Sequence, residues 1–234
     1  MAVKIEDLRG HVIVSCQPGK DGPLDRADFV AGLALAALEG GAAGLRIESL
    51  RNVRAVRAAT GAPIIGLVKR PLPSSPVFIT PEIADAEALA GSGADIVAFD
   101  ATLRARPVPA RDIIATIHAE GRFAMADVST YDDARAAVGV GADLVGTTLS
   151  GYVGSPTPEE PDLDLVSRCA GLGVPVLAEG DTAHPTRPGS RSKPARTPSS
   201  WDPPSPGPST SPGGSPRRRK KRGEHSSRLP SHQS

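Results

Sequence analysis

The sequence predicts an α/β protein, a TIM-type (β/α)8 barrel carried through about seven strands and followed by a tail of different character. Three observations predict it. Between residues 11 and 180, short β-rich runs alternate with longer Ala-rich stretches of helical period, the signature of βαβ units around a parallel sheet. The strand candidates are apolar on both faces, as strands buried between two layers must be. The Ala, Val, Ile and Leu residues that make this pattern almost vanish after Gly180.

Taken in chain order, the strand candidates are HVIVSCQ (11–17), GLRIES (44–49), APIIGLVKR (62–70), ADIVAFDAT (94–102), RFAMADVST (122–130), ADLVGTTLSG (142–151) and VPVLAEG (174–180). Helical stretches of about ten to fifteen residues separate them, among them RADFVAGLALAALEGG, TPEIADAEALAGSG and YDDARAAVGVG. Thr80 followed by Pro81 and Glu82 reads as an N-cap with proline at the first helical position. GGAAGLRI, GSGADIVAF and GVGADLVGT echo one another, each running from a helix-terminal glycine into a strand. Neither GxGxxG nor GxxxxGK[ST] follows the first strand, so a nucleotide-binding doubly wound sheet loses its main support and the barrel leads.

The chain has 234 residues and a formal net charge of +1, which gives no global reason to expect nucleic acid, an acidic substrate or a membrane surface as partner. Lys4, Glu6, Asp7 and Arg9 interrupt the start where a signal peptide needs an apolar run, and no stretch approaches about 18 apolar residues. A cytoplasmic protein is expected. Cys16 and Cys169 fall inside apolar patterns and read as reduced, inert core thiols.

Two regions follow: a barrel domain at 1–180, incomplete, and a disordered Pro/Ser/Arg-rich tail at 181–234 with too little apolar surface to offset chain entropy. The basic run from Arg217 to Arg222 reads as a solvated charge run rather than a nucleic-acid arm. The tail also reads as translated out of frame. Trp201 has the single codon TGG and Asp202 begins GA, so starting from each third base forces glycine there. Suitable codons for Ala195 to Pro206 then give Ala-His-Ala-Val-Val-Val-Gly-Ser-Ala-Ile-Thr, a buried strand ending in a Gly-Ser turn. The same offset just after Glu179 permits Arg-Tyr-Arg-Thr-Pro-Asp-Gln, so a one-nucleotide frameshift near codon 180 is expected.

Nearly every strand candidate ends in residues that an apolar core would reject: Gln17, Arg46 with Glu48, Lys69 with Arg70, Asp100, Asp127 with Ser129, Thr147 with Thr148, and Glu179. In a barrel these ends converge on one mouth, where active sites sit. Singly, each is explained as a strand-terminal group bonded to loop backbone; together, charges of both signs on one concave face point to a site. Lys69 on the third strand and Glu179 on the seventh face each other across an eight-stranded ring. Epimerisation needs such a pair, one group removing a proton from one face of a carbon and another returning one to the opposite face. Lysine is a base only when neutral, so desolvation and the neighbouring Arg46 or Arg70 are expected to lower its proton affinity. The bland alternative for Lys69 is a salt bridge to Asp100 or Asp127.

VSCQ (14–17), GLRIES (44–49), PIIGLVKR (63–70), VFITP (77–81), DIVAFDAT (95–102), MADVST (125–130), DLVGTTLSGY (143–152) and VPVLAEG (174–180) resemble, in order and spacing, segments of the N-acetylmannosamine-6-phosphate 2-epimerase family, also called N-acylglucosamine-6-phosphate 2-epimerases. The resemblance covers residues 8 to 180. It implies an isomerase of carbohydrate metabolism that epimerises C2 between the 6-phosphates of N-acetylmannosamine and N-acetylglucosamine in amino-sugar or sialic acid catabolism. It implies no metal and no organic cofactor, a small phosphosugar as partner, and a homodimer once the barrel is complete. Carried over, Lys69 is the base and Glu179 the acid, while Gln17, Arg46 and Asp127 contact the substrate and Thr147 and Thr148 line the same mouth. Ser150 and Tyr152 belong to a loop over the site or to its packing.

The family's arginine after AEG and its Gly-rich turn after VVVG have no counterpart here, so the phosphate grip and the eighth strand are missing as written, and a poorly soluble, inactive polypeptide is expected. Two other readings compete. One makes Lys69 the Schiff-base lysine of a phosphosugar aldolase or lyase. The other makes the chain a non-catalytic remnant with a basic tail.

Overall fold

The computed structural model describes residues 3–153 and 162–179. The expected tail at 181–234, its basic run and the expected frame break lie outside the described residues. Seven strands, β1 (Ile13–Cys16), β2 (Gly44–Glu48), β3 (Ile64–Leu67), β4 (Ile96–Asp100), β5 (Phe123–Asp127), β6 (Leu144–Gly146) and β7 (Val176–Leu177), form one sheet. All neighbours run parallel in the order β1-β2-β3-β4-β5-β6-β7. A doubly wound sheet reverses its strand order at a switch point, and this one never does. Six helices fill the crossovers: α1 (Ala27–Glu39), α2 (Leu50–Ala59), α3 (Ile83–Gly91), α4 (Ala110–Ala119), α5 (Tyr131–Gly139) and α6 (Leu163–Cys169). Consecutive parallel crossovers of one hand stack every helix on one face and curl the sheet into a (β/α)8-type barrel, of which seven strands lie among the described residues.

Strand side chains alternate between the two faces, so the chain has two apolar clusters. The outer one joins Leu45, Ile47, Ile64, Val97, Phe99, Ala124, Ala126 and Val145 to the helices through Val53, Val56, Leu89, Ile113 and Ile117. The inner one, in the barrel, joins Ile65, Leu67, Ile96, Ala98, Met125 and Leu144, with Ile5 of the N-terminal 3-10 turn packed among them. Both expected core thiols are free and buried, and burial pushes each above its ordinary value.

The sequence echo is a repeated helix stop. Gly41, Gly93 and Gly141 each take a left-handed φ, of 96°, 98° and 107°. After each glycine the next residue's N–H bonds back five residues, Ala42 to Ala37 O, Ala94 to Leu89 O and Ala142 to Ala137 O, at 3.0, 3.3 and 3.0 Å. This is the Schellman bond, and it turns the chain straight into the next strand.

One expected cap differs. Helix α3 starts at Ile83 with Glu82 as N-cap, in a capping box with Asp85. Thr80 is instead drawn into the barrel: its φ is 45°, and its Oγ1 donates to Ala98 O at 2.6 Å and accepts from Val68 N at 3.4 Å. The hydroxyl that could have capped the helix is taken by a buried carbonyl.

Candidate active site

Counting by twos along each strand gives the inward set. Arg46 sits between outward Leu45 and Ile47, Lys69 follows inward Leu67 by two, Asp127 follows Met125, Thr148 follows Gly146, and Glu179 follows Leu177. Gln17, Arg46, Lys69, Thr148 and Glu179 therefore line one cavity of about 320 Å³, together with Phe78, Ile79, Leu149 and Tyr152. Thus five of the seven residues predicted to act meet in one place.

Asp127 lies outside that lining, bonded to Arg46 and Thr148, which belong to it. The carboxylate is fully buried and accepts a bidentate pair of bonds from Arg46, Nη2 to Oδ2 at 2.7 Å and Nη1 to Oδ1 at 3.1 Å. Arg46 Nη1 also lies 3.4 Å from Glu179 Oε2. The Thr148 hydroxyl is 2.8 Å from Asp127 Oδ1 and 2.9 Å from Glu179 Oε2. Burial works against the charge on Arg46, but the two carboxylates outweigh it and raise its affinity for the proton. Burial also pushes the Asp127 carboxyl above its ordinary value, and Glu179 adds to that, while Arg46 and Thr148 pull the other way. Gly146 lies directly beneath, and a Cβ there would sit 2.3 Å from Met125 Cε, 3.0 Å from Asp127 Oδ1 and 3.1 Å from Thr148 Oγ1.

Lys69 takes neither salt bridge of the bland alternative. Asp100 is held by Arg104 and Thr102, and Asp127 by Arg46. Arg70 turns the other way, to Glu82 and Asp85 on α3. The Lys69 side chain is exposed at the cavity rim, so the expected desolvation is not present in the open site. Its main-chain N–H donates to Glu48 Oε1 at 3.4 Å. After Lys69 the chain doubles back, pairing Lys69 with Ile79 in an antiparallel bridge, which is what carries Phe78 and Ile79 to the cavity.

Thr147 does not reach the cavity, because its parity is outward. Its hydroxyl accepts from Glu179 N at 3.0 Å and donates to Glu179 O at 2.8 Å, fixing the main chain of that residue instead. Ser150 donates to Asp162 at 2.7 Å and so ties the β6 loop to α6, whereas Tyr152 lines the cavity. Sequence reasoning missed Phe78, Ile79 and Leu149. These apolar residues sit in loops, where no periodicity marks a face.

A larger cavity of about 510 Å³ lies in the helix layer between α4 and α5. Its three arginines are already committed, Arg104 to Asp100, Arg106 to main-chain carbonyls and Arg111 to Asp112, and the other lining residues are mostly alanine and other apolar groups. It offers little to orient a polar ligand.

Residues 30–191 match a family model described as "Putative N-acetylmannosamine-6-phosphate epimerase". The chain is 54% identical over 171 residues to the "Putative N-acetylmannosamine-6-phosphate 2-epimerase" of Shigella dysenteriae, covering 73% of this chain and 75% of that one. It is 52% identical over 186 residues to the "Bifunctional enzyme NanE/NanK" of Brucella melitensis, covering 79% of this chain and 36% of that longer protein. Among solved structures, the N-acetylmannosamine-6-phosphate 2-epimerase from Clostridium perfringens superposes with a TM-score of 0.73 at 35% identity, over 77% of this chain and 80% of that one.

Proposed function

Because the chain belongs to the N-acetylmannosamine-6-phosphate epimerase family, we propose that it interconverts the 6-phosphates of N-acetylmannosamine and N-acetylglucosamine by moving a proton at C2. The hydrogen to be removed lies alpha to the aldehyde of the open-chain sugar and is acidic for that reason. Lys69 removes it, and Glu179 delivers a proton to the opposite face. The observation that carries these roles is that both side chains line one cavity, from the third and seventh strands of the ring. The deprotonated sugar is an enolate, which needs donors near its oxygen. Gln17 Nε2 and the Arg46 guanidinium are the cavity's candidates, and substrate entering the cavity supplies the cover that exposed Lys69 lacks when the site is open.

The test is solvent deuterium incorporation at C2 of N-acetylmannosamine 6-phosphate, followed by NMR. With the reading frame restored after codon 180 the chain is expected to exchange, while Lys69→Met and Glu179→Gln in that background lose at least about a hundredfold, the scale of a lost general acid or base. Exchange that survived in Lys69→Met would remove lysine from the mechanism. A covalent adduct trapped by borohydride with substrate would favour the Schiff-base alternative, which the family assignment does not favour.

Three further readings accompany this one. A cytoplasmic location fits the phosphosugar named for the family's members; separately, among the described residues no helix is long and apolar enough to cross a membrane. A homodimer of the complete barrel is supported by Phe29 and Leu33, each 45% exposed on α1, and light scattering would measure it. A frame break near codon 180, separating a barrel domain at 1–180 from the tail at 181–234, is supported by the abrupt change in composition there. Resequencing the DNA across that codon tests it, and an intact frame with no strand restored downstream refutes it.

A further inference from the structure

Thr148 stands between two carboxyls with one hydrogen to give. Its Oγ1 is 2.8 Å from Asp127 Oδ1 and 2.9 Å from Glu179 Oε2, both hydrogen-bonding distances. An ionised carboxylate only accepts, so a hydroxyl facing two of them satisfies one contact and sets bare oxygen against oxygen at the other. Both contacts are hydrogen bonds only when the carboxyl pair carries one proton. We infer that Thr148 is a positioning residue, resting on the role proposed for Glu179, which keeps one proton shared along the chain Asp127–Thr148–Glu179 and so holds the acid of the reaction loaded and aimed into the cavity.

The surroundings fit this arrangement. Arg46, the one guanidinium in contact among the described residues, spends both terminal nitrogens on Asp127 and reaches Glu179 only at 3.4 Å. Burial of Asp127 and the nearness of Glu179 both disfavour two negative charges side by side. Lys69, the other cation of the cavity, is at the rim. Thr147 supplies the complementary restraint, clamping the Glu179 main chain through both its N–H and its carbonyl, so that the side chain swings from a fixed point. A Cβ on Gly146 would crowd Asp127 Oδ1 and Thr148 Oγ1, so the glycine keeps the space those two groups occupy.

The experiment is infrared spectroscopy of the full-length protein near neutral pH, with no substrate present. A protonated-carboxyl stretch is expected in wild type. It should vanish in Glu179→Gln and in Thr148→Val, and persist in Thr148→Ser, which keeps the hydroxyl. Absence in wild type of any acid band that Glu179→Gln removes overturns the inference, as does an unchanged band in Thr148→Val. Were Thr148→Val to unfold, the Glu179→Gln and Thr148→Ser spectra still decide it. The kinetic counterpart is a split: Thr148→Val lowers kcat for C2 exchange roughly tenfold to a hundredfold with KM little changed, and serine restores it. A Thr148 that merely bound sugar would raise KM instead. The infrared result stands apart from catalysis: the band without C2 exchange in the frame-restored chain would refute the roles given to Lys69 and Glu179 and leave the shared proton in place.

Discussion

At the scale of single residues, the site depends on a buried ion pair, Arg46 in the cavity lining and Asp127 behind it. Arg46 is 2% exposed and Asp127 0%, so each is the other's main counter-charge. Replacing Arg46 by Met leaves a buried carboxylate without a partner, and chemical denaturation at neutral pH is expected to show a loss of about 3–5 kcal/mol. The pH dependence has a definite sign. Asp127 titrates above its ordinary value of 3.8 in the folded chain, so between those two values the folded state holds a proton that the unfolded state has released. Its contribution to stability therefore falls as pH rises through that window. In Arg46→Met the attraction that limits the shift is gone, so the gap to wild type should narrow as pH is lowered and the carboxyl protonates. A gap that stayed constant would show that Asp127 is not the group left unpaired. Gly146→Ala is the steric counterpart. Met125 can swing its methyl aside, but Asp127 is pinned by Arg46, so a loss of about 1–3 kcal/mol is expected, with C2 exchange falling further than stability alone explains.

At the scale of elements, the loops at the mouth are stitched together by side chains at helix starts. Asp133 in the first turn of α5 accepts from Thr130 N at 2.9 Å and Ser129 N at 3.2 Å through one oxygen, and from Leu103 N at 2.9 Å through the other. One carboxylate thus ties the loop after β5 to the loop after β4. Asp133→Ala should lower stability by about 2–3 kcal/mol in thermal unfolding, because it strands buried donors, and Asp133→Asn should recover part of that. Full stability in the alanine variant would mean that water replaces the carboxylate. The sequence showed these elements well where a local rule governs them. All seven strand runs contain the observed strands, and the GGAAGLRI-type echo marked a real Schellman stop because glycine is needed wherever the chain turns through a left-handed φ. The cap at Thr80 was misplaced because its hydroxyl is claimed by Ala98, eighteen residues away and on another strand.

At the scale of the whole molecule, β1 and β7 are the ends of the sheet among the described residues, each with one neighbouring strand. Val12 beside β1 is 65% exposed, and Phe29, Leu33 and Leu35 on α1 are 41–45% exposed. Such surface next to an unpaired parallel edge favours association. If the frame breaks near codon 180 as proposed, restoring it is expected to raise the soluble fraction and the rate of C2 exchange together, measured by light scattering and deuterium NMR. Equal solubility with and without the correction would argue against a seam that needs covering. By itself the sequence determined the barrel, the order of its strands and the polar residues at their ends, because periodicity, turn chemistry and strand parity are local consequences of backbone geometry. Only the tertiary structure decided which of those residues meet. Thr147 and Thr148 are neighbours in sequence, yet the first fixes the Glu179 main chain and the second bridges Glu179 to Asp127. That division depends on the register of β6 between β5 and β7, since each strand's partners are set by where the chain returns rather than by what it says along the way.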